Sequence, residues 1–521
     1  MSKILWVDDE IDLLRPHIIL LQQRGYDVST ATNGEDAIEL VQENRYDLIF
    51  LDETMVGISG LETLSVLKDI DPSVPIVMVT KNEQESVMEE AIGRKIDDYL
   101  TKPVNPTQIL AACKKFLDTQ RITEEKITQD FHQGYSDITR RLMDRMEWAD
   151  WLDVYLKLTE RSLEVDQHPT VGLEQSLRDQ WRECNGAFSR FVEDEYFDWL
   201  SEKRPDGAPL LSPHIADTHL IPKLKNGRPT VFIVVDCMRL DQWMMMETYL
   251  RPLFNIQRDY YCSILPTATP YARNSIFAGL FPTDINKHYP QFTIDERGND
   301  EHTLNRHEKE FLSLLLQRRR VQLKNDLQYI KIIDTDFGKR IEADIMRYAK
   351  HHLTAIVINA VDMIAHSRSD YPILKEIAPD EAAYRSLTRS WFLHSSFYGI
   401  LRALSTIKDI QIVITTDHGS VRCMRASKVI GDRETTTNLR YKIGRNVKAE
   451  ARDAMIIRDP QAYKIPAGGG SATSVVIAKD DHYFVYPTDY HHYLAKYRDS
   501  FQHGGISMEE MILPVVTLEP R

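Results

Sequence analysis

The sequence predicts an α/β chain: a doubly wound parallel sheet, then a helical middle segment, then a second and larger α/β domain. Three observations carry that reading. Residues 1 to about 118 alternate short apolar runs with amphipathic stretches. Residues 119 to about 204 become poor in glycine and proline, and their apolar residues recur three or four apart. From about 205 onward, β-type runs and helical segments alternate again. A chain of 521 residues has room for two or three such domains, each with its own core.

In the first segment the strands are Ile4–Val7, Val28–Ala31, Leu48–Leu51, Ile76–Val79 and Tyr99–Leu100. Helical spacing lies between them, as in Leu61, Leu64 and Leu67. In the middle, Ile127, Phe131, Ile138, Leu142, Met146 and Tyr155 make one helical series. Leu173, Leu177, Trp181, Phe188 and Val192 make another, and His168-Pro169 divides the two. A helical bundle or hairpin is expected. Arg204–Pro213, with three prolines and one glycine, reads as a linker. The expected domains are therefore 1–118, 119–204 and 205–521.

Composition limits the function. The apolar fraction of 42% and charged fraction of 27% are those of a globular protein. A net charge of −14 argues against broad charge-driven binding to nucleic acid or membrane surfaces. Cys113, Cys184, Cys237, Cys262 and Cys423 are scattered and lack C-x-x-C spacing, which suits a reducing cytoplasm and argues against zinc-ribbon or disulfide scaffolds. The four apolar residues between Lys3 and Asp8 are too few for a signal-peptide core. No run approaches the ~18 apolar residues of a membrane span. A cytoplasmic protein without membrane insertion is expected.

Two groups of polar residues stand at strand ends, where an open parallel sheet gathers distant residues into one crevice. In the first segment Asp8 and Asp9 end the first strand, Asp52 the third and Thr80 the fourth, and Lys102 follows the fifth. Three carboxylates together repel unless a hard cation joins them, and Mg²⁺ is the natural choice. A carboxylate beside Mg²⁺ can attack a phosphoryl group, with Lys102 and the Thr80 hydroxyl bonding its oxygens. Singly, Asp8 or Asp9 reads equally as a helix cap.

In the large domain Val231–Val235 precedes Asp236, Ala355–Ile358 precedes Asp362, and Ile412–Thr416 precedes Asp417-His418. Asp362 and His366 lie one helical turn apart. His503 opens the glycine-rich His503-Gly504-Gly505. Thr269 sits between a β-type run, Tyr260–Leu265, and a helical pattern, Tyr271–Phe277. Three aspartates, three histidines and one hydroxyl suit two divalent metals and a nucleophile. A hydroxyl at a helix start gains from the dipole and favours a bound phosphate. Thr269 alone reads equally as a helix cap.

The first segment resembles the receiver domain of two-component response regulators. That resemblance implies Asp52 as phosphoacceptor, Asp8 and Asp9 with it on Mg²⁺, Thr80, Tyr99 and Lys102 as switch residues, and a sensor histidine kinase as partner. Val56 departs from the proline common there, and Lys81 from the small residue that usually follows the switch threonine. Lys81 therefore bears on phosphoryl access and lifetime. Residues 228–521 resemble the alkaline-phosphatase superfamily, in particular its nucleotide pyrophosphatase/phosphodiesterase branch and PglZ domains. This implies one metal on Asp236, Thr269, Asp417 and His418, with Thr269 the nucleophile, and a second on Asp362, His366 and His503. Imidazole with carboxylate suits two Zn²⁺, with Mn²⁺ the alternative. Ser367–Pro379 and Thr435–Gly444 look unlike the family's small enzymes.

The whole order resembles the PorX-type family of response regulators, linked to type IX secretion in Bacteroidota. It implies a phosphorylation-controlled phosphodiesterase acting on nucleotide second messengers or short oligonucleotides, with sigma-factor or secretion-machinery partners. A charge change at Asp52 reaches the second site only through a two-state element; a homodimer formed on phosphorylation is expected, and the rival is intramolecular release, with the receiver blocking the metal site until phosphorylated. The alternative is a regulatory binding module whose metal domain is mainly structural. Nine lysines or arginines against three acids from Val421 to Arg452 suit either a nucleotide chain or a solvated basic face. The aromatic residues of Tyr483–Phe501 suit either base stacking or packing.

Overall fold

The computed structural model of the chain describes residues 2–81, 96–168, 173–292, 305–432, 435–436, 438–466, 473–488 and 490–521. Pro169 of the expected helical break, and Arg433, Glu434 and Thr437 of the unusual and basic stretches, lie outside them. The chain divides into two compact units, Met1–Gln133 and Gly134–Arg521. Among the described residues no helix is long and apolar enough to cross a membrane.

The first unit is a five-stranded parallel sheet: β1 (Lys3–Val7), β2 (Asp27–Ala31), β3 (Leu48–Asp52), β4 (Ile76–Thr80) and β5 (Asp98–Thr101), in the order β2-β1-β3-β4-β5. Strand side chains alternate between faces, and both faces are buried. Leu5, Val7, Ile49 and Leu51 pack with Leu64 and Leu67. Ile4, Trp6, Leu48 and Phe50 pack with Leu21 and Ile109 on the other side. Helix starts are fixed locally: the Asn33 side chain accepts from Asp36 N–H, and Ser59 with Glu62 forms a capping box.

The second unit is built on a six-stranded mixed sheet. Its strands are β6 (Thr230–Val235), β7 (Phe254–Cys262), β8 (Gln328–Ile332), β9 (Leu353–Ile358), β10 (Gln411–Thr415) and β19 (Ile512–Pro520), ordered β7-β19-β10-β6-β9-β8. Strands β10, β6, β9 and β8 run parallel, and β19 is antiparallel to both neighbours. Every residue of β6, β9 and β10 is buried, as expected of strands covered on both faces. Val231, Ile233 and Val235 join one core with Trp243, Ile345 and Phe397, while Phe232 and Val234 join another with Phe277, Phe311 and Leu315. Three small sheets carry the rest: β11 (Val421–Cys423) with β18 (Ser500–Gln502), β14 (Lys448–Ala449) with β12 (Arg425–Ile430) and β17 (His482–Val485), and β13 (Tyr441–Arg445) with β16 (Thr473–Ala478) and β15 (Ala454–Ile457).

The structure corrects several expectations. The middle segment holds three helices, Thr119–Arg141, Trp148–Gln167 and Leu173–Trp199. The first expected series is broken between Arg141 and Trp148, and Met146 is buried in that break. Arg204–Pro213 is anchored at its end, where Leu211, Ser212 and Pro213 are buried. Leu211 bridges to Cys262, and Ser212 Oγ accepts from Ile264 N–H at 3.1 Å. The run into Thr269 is strand only to Cys262. The aromatic tract is divided: Phe501 is buried, stacked on Tyr384 with centroids 4.0 Å apart. Much of the basic stretch is neutralised within the fold, with Arg422 on Asp499, Arg425 on Asp480 and Asp481, and Arg440 on Glu510.

Candidate functional site

In the first unit the expected acids meet at the carboxyl edge of the sheet. Asp8 and Asp52 are buried and Asp9 is exposed, and one oxygen of each lies within 4.8 Å of the others. Lys102 Nζ sits 2.8 Å from Asp8 Oδ2 and 2.8 Å from Asp52 Oδ2. Burial pushes the Asp52 carboxyl above its ordinary value; the Lys102 hydrogen bond opposes the rise, and the charges of Asp8 and Asp9 add to it. A dication would relieve that repulsion. The Thr80 hydroxyl donates to Glu53, a residue the sequence reading passed over. Tyr99 is 41% exposed, so its ring points outward. Lys81 pairs at 3.1 Å with Glu10, two residues beyond Asp8, and Val56 is exposed.

In the second unit all seven expected residues converge. Asp236 directly follows β6, Asp362 and His366 lie on the helix Ala360–Asp370 after β9, and Asp417-His418 lies just beyond β10. His503 directly follows β18. Two clusters result, Asp236 with Asp417 and His418, and Asp362 with His366 and His503, each with ligand atoms within 4.8 Å. The His418 and His503 rings stack with centroids 4.1 Å apart, so the clusters adjoin. His418 Nε2 is 3.7 Å from Asp236 Oδ1 and 3.8 Å from Asp417 Oδ2. Asp362 Oδ1 is 3.3 Å from His366 Nε2 and 3.7 Å from His503 Nε2.

Backbone and hydroxyl contacts aim these groups. Asp417 Oδ1 accepts from Cys237 N–H at 3.3 Å and His418 N–H at 3.1 Å, which leaves Oδ2 for the cluster. Ser263 Oγ donates to Asp417 O at 2.7 Å. His418 Nδ1 lies 3.0 Å from Gly419 O, so the proton belongs on Nδ1 and the Nε2 lone pair faces inward. A Cβ on Gly419 would meet Glu509 O at 1.9 Å, so only glycine permits this turn. Cys237, next to Asp236, holds φ at 63°, a left-handed conformation that non-glycine residues adopt mainly under constraint.

Thr269 is the first residue of the helix Thr269–Ala278, and the N-cap is Ala268. The capping alternative therefore falls. The Thr269 hydroxyl instead lies 3.0 Å from His418 Nε2, buried among the ligands.

The electrostatics suit cations. Asp236 Oδ1 and Asp417 Oδ2 are buried and take no hydrogen bond. Burial, and then the Asp236 charge, raise the Asp417 carboxyl well above its ordinary value. Burial works to raise Asp362 as well, but His366, His503 and His418 outweigh it and hold it low. Burial lowers His418, which favours the neutral imidazole that binds metal. Two further residues belong here. Arg273 is 1% exposed, with Nη1 2.8 Å from Asp236 Oδ2 and Nε 2.7 Å from Glu308 Oε1. Its position one turn after Thr269 was the available signal; nothing in the sequence marked Glu308.

The family model of the BREX system PglZ alkaline phosphatase-like domain matches residues 215–518, more than half of the chain, and the chain belongs to that family. The response regulator receiver domain matches residues 4–114, and the PorX response regulator linker domain residues 121–200. The class is thus a response regulator whose receiver is followed by an alkaline-phosphatase-like domain. The domain order is that of a PorX-type response regulator.

Relatives include the transcriptional regulatory protein CpxR homolog of Haemophilus influenzae, 36% identical over 119 residues, 22% of this chain and 51% of that protein. The alkaline phosphatase synthesis transcriptional regulatory protein PhoP of Bacillus subtilis is 34% identical over 170 residues, 32% of this chain and 70% of that protein. The chain thus spans about half the length of the first relative. Among solved structures, the response regulator TrrA of Thermotoga maritima, in complex with Mg²⁺-BeF, is 32% identical over 22% of this chain and 100% of its own, with a TM-score of 0.21.

Proposed function

We propose that phosphorylation of Asp52 controls a two-metal phosphodiesterase in the second unit, acting on nucleotide second messengers or short oligonucleotides. One observation carries the reading: a buried threonine hydroxyl at the start of a helix lies 3.0 Å from the His418 imidazole, a member of one three-ligand cluster that adjoins a second. Divalent metals, Zn²⁺ with Mn²⁺ the alternative, held by Asp236, Asp417, His418 and Thr269 and by Asp362, His366 and His503, would supply Lewis-acid charge that lowers the hydroxyl pKa. Thr269 Oγ attacks phosphorus, one P–O ester bond breaks, and the leaving oxygen takes up a proton. Water then hydrolyses the phosphothreonine ester. The helix N-terminus favours the phosphoryl oxygens, and Arg273 fixes the Asp236 carboxylate.

In the receiver, Asp8, Asp9 and Asp52 would hold Mg²⁺, and Lys102 and Thr80 would leave their present partners for the phosphoryl oxygens. A sensor histidine kinase is the donor. Phosphorylation drives homodimerisation and raises activity in a cytoplasmic protein with sigma-factor or secretion-machinery partners. The second reading, a regulatory binding module, draws on Arg273, whose charge balances Asp236 without a metal.

Purified protein with defined metal and a panel of mono- and diesters separates the two readings. Diesters should be preferred by kcat/KM. Thr269→Ala should lose at least 10³-fold in kcat while metal and substrate binding persist. A monoester preference, or full activity without Thr269, would overturn the enzyme reading. Beryllofluoride should raise both the mass by light scattering and the diesterase rate.

A further inference from the structure

We propose that the cavity beside β13 binds a guanine base, read on one edge by the Lys442 ammonium and on another by the Asp432 carboxylate. The phosphodiesterase reading is needed only to say whose base it is.

The cavity has a volume of about 420 Å³, and Leu439, Lys442, Phe484, Tyr486, Tyr493 and Tyr497 line it together with Asp432. That volume is in the range of small-molecule sites. Flat aromatic walls suit a planar ring, because every base presents a π-face for stacking. Lys442 is only 2% exposed. Its Nζ donates to Thr436 O at 2.9 Å and stands 5.0 Å from the Tyr486 ring centroid. Among the described residues no carboxylate pairs with it, and burial alone lowers its amine to about 8. Two of its three N–H donors remain for a ligand.

The donor pattern selects the base. Guanine places two acceptors, O6 and N7, side by side, and lysine reads that edge. Adenine puts an amino donor beside N7, which an ammonium repels. Guanine also carries donors at N1 and N2, which a carboxylate accepts; Asp432 is exposed and lines the same cavity. A phosphate alone would meet one cation and one anion there, a poor match.

One strand, β13, lies between the cavity and residues that neighbour the metal clusters in sequence. Successive strand residues face opposite sides. Next to Lys442 on β13, the Tyr441 ring packs edge-on to Tyr271, with centroids 5.8 Å apart and Tyr271 two residues after Thr269. The same ring would block a Cβ on Gly504, the residue after His503.

The test is calorimetric titration of the full-length chain with guanosine and adenosine, which lack the phosphate a metal centre would hold. Guanosine should bind at least tenfold more tightly than adenosine. Lys442→Met and Asp432→Asn should each weaken guanosine tenfold or more and spare adenosine, whereas Tyr486→Leu should weaken both. Equal affinity for the two nucleosides, no guanosine binding, or wild-type guanosine affinity in Asp432→Asn would overturn the proposal. Asp432 is exposed, so that variant tests the pocket without altering the core.

A base of the substrate predicts that guanosine raises KM for guanylyl guanosine at constant kcat. A separate regulatory nucleotide predicts a change in kcat toward bis(p-nitrophenyl) phosphate, which has no base. Failure of the wild-type chain to cleave any diester would sink the enzyme reading and leave the nucleoside titration to stand or fall alone.

Discussion

Burial holds the Lys442 amine at about 8, against 10.5 for an ordinary lysine, so at neutral pH the fold carries a desolvated ammonium. Below pH 8 that lysine is charged in both folded and unfolded chains, and the cost is felt in full. Between 8 and 10.5 the folded lysine has lost its proton while the unfolded one keeps it, so stability rises with pH across this window. Lys442→Met should therefore stabilise the free protein at pH 7 by about 3 kcal/mol, and urea melts should show the gain closing toward pH 10. A residue kept at such a cost points to a ligand. None of this was legible in the sequence, where Lys442 was one of nine basic residues that suited either a nucleotide chain or a solvated face. The seven metal-type residues were legible because Asp236, Asp362, His366, Asp417 and His418 adjoin strand ends or one helical turn, Thr269 a helix start and His503 a glycine-rich loop. Arg273 offered a weaker mark, its place one helical turn after Thr269, which alone does not set an arginine apart from a solvated one.

At the scale of elements, the loop bearing His503 is held by one carboxylate. Glu510 Oε1 accepts from Gly505 N–H at 2.8 Å, and Oε2 accepts from Ser507 Oγ at 2.8 Å and Arg440 Nη2 at 2.6 Å. Glu510 and Arg440 are fully buried, so Glu510→Ala leaves the guanidinium in the core without its carboxylate partner. It should cost about 3–5 kcal/mol and lose the metal bound through His503 before the other. Denaturant melts together with metal analysis read both effects. The apolar strands were legible because runs such as Val231–Val235 need no knowledge of their neighbours. The anchored end of Arg204–Pro213 was not legible for the opposite reason. Its prolines signal a turn, while its burial depends on β7, far along the chain.

At the scale of the whole molecule, the second unit is more than its phosphatase-like sheet. Asn185 bonds Glu509 and Met508 N–H, each at 2.8 Å. Tyr196 OH accepts from Leu265 N–H at 2.8 Å, Glu193 pairs with Lys479 at 2.6 Å, and Asp166 grips Arg385 at 2.6 and 2.8 Å. A fragment 134–521 should therefore melt cooperatively, and a fragment 205–521 should melt on the order of 10 °C lower or aggregate. Equal melting of the two would show that these contacts are dispensable. Sequence patterns gave the helices but not this docking, because a periodic apolar stripe does not name its partner. The placement of β19 carries a further cost in time. It is inserted between β7 and β10, yet roughly 250 residues separate it from Phe254, where β7 begins. At about 5–20 residues per second, a nascent chain leaves the β7 edge bare for some ten to fifty seconds of translation. A ribosome that stalls before Ile512 releases a polypeptide with two open sheet edges, a substrate for chaperones and proteases rather than a slower enzyme.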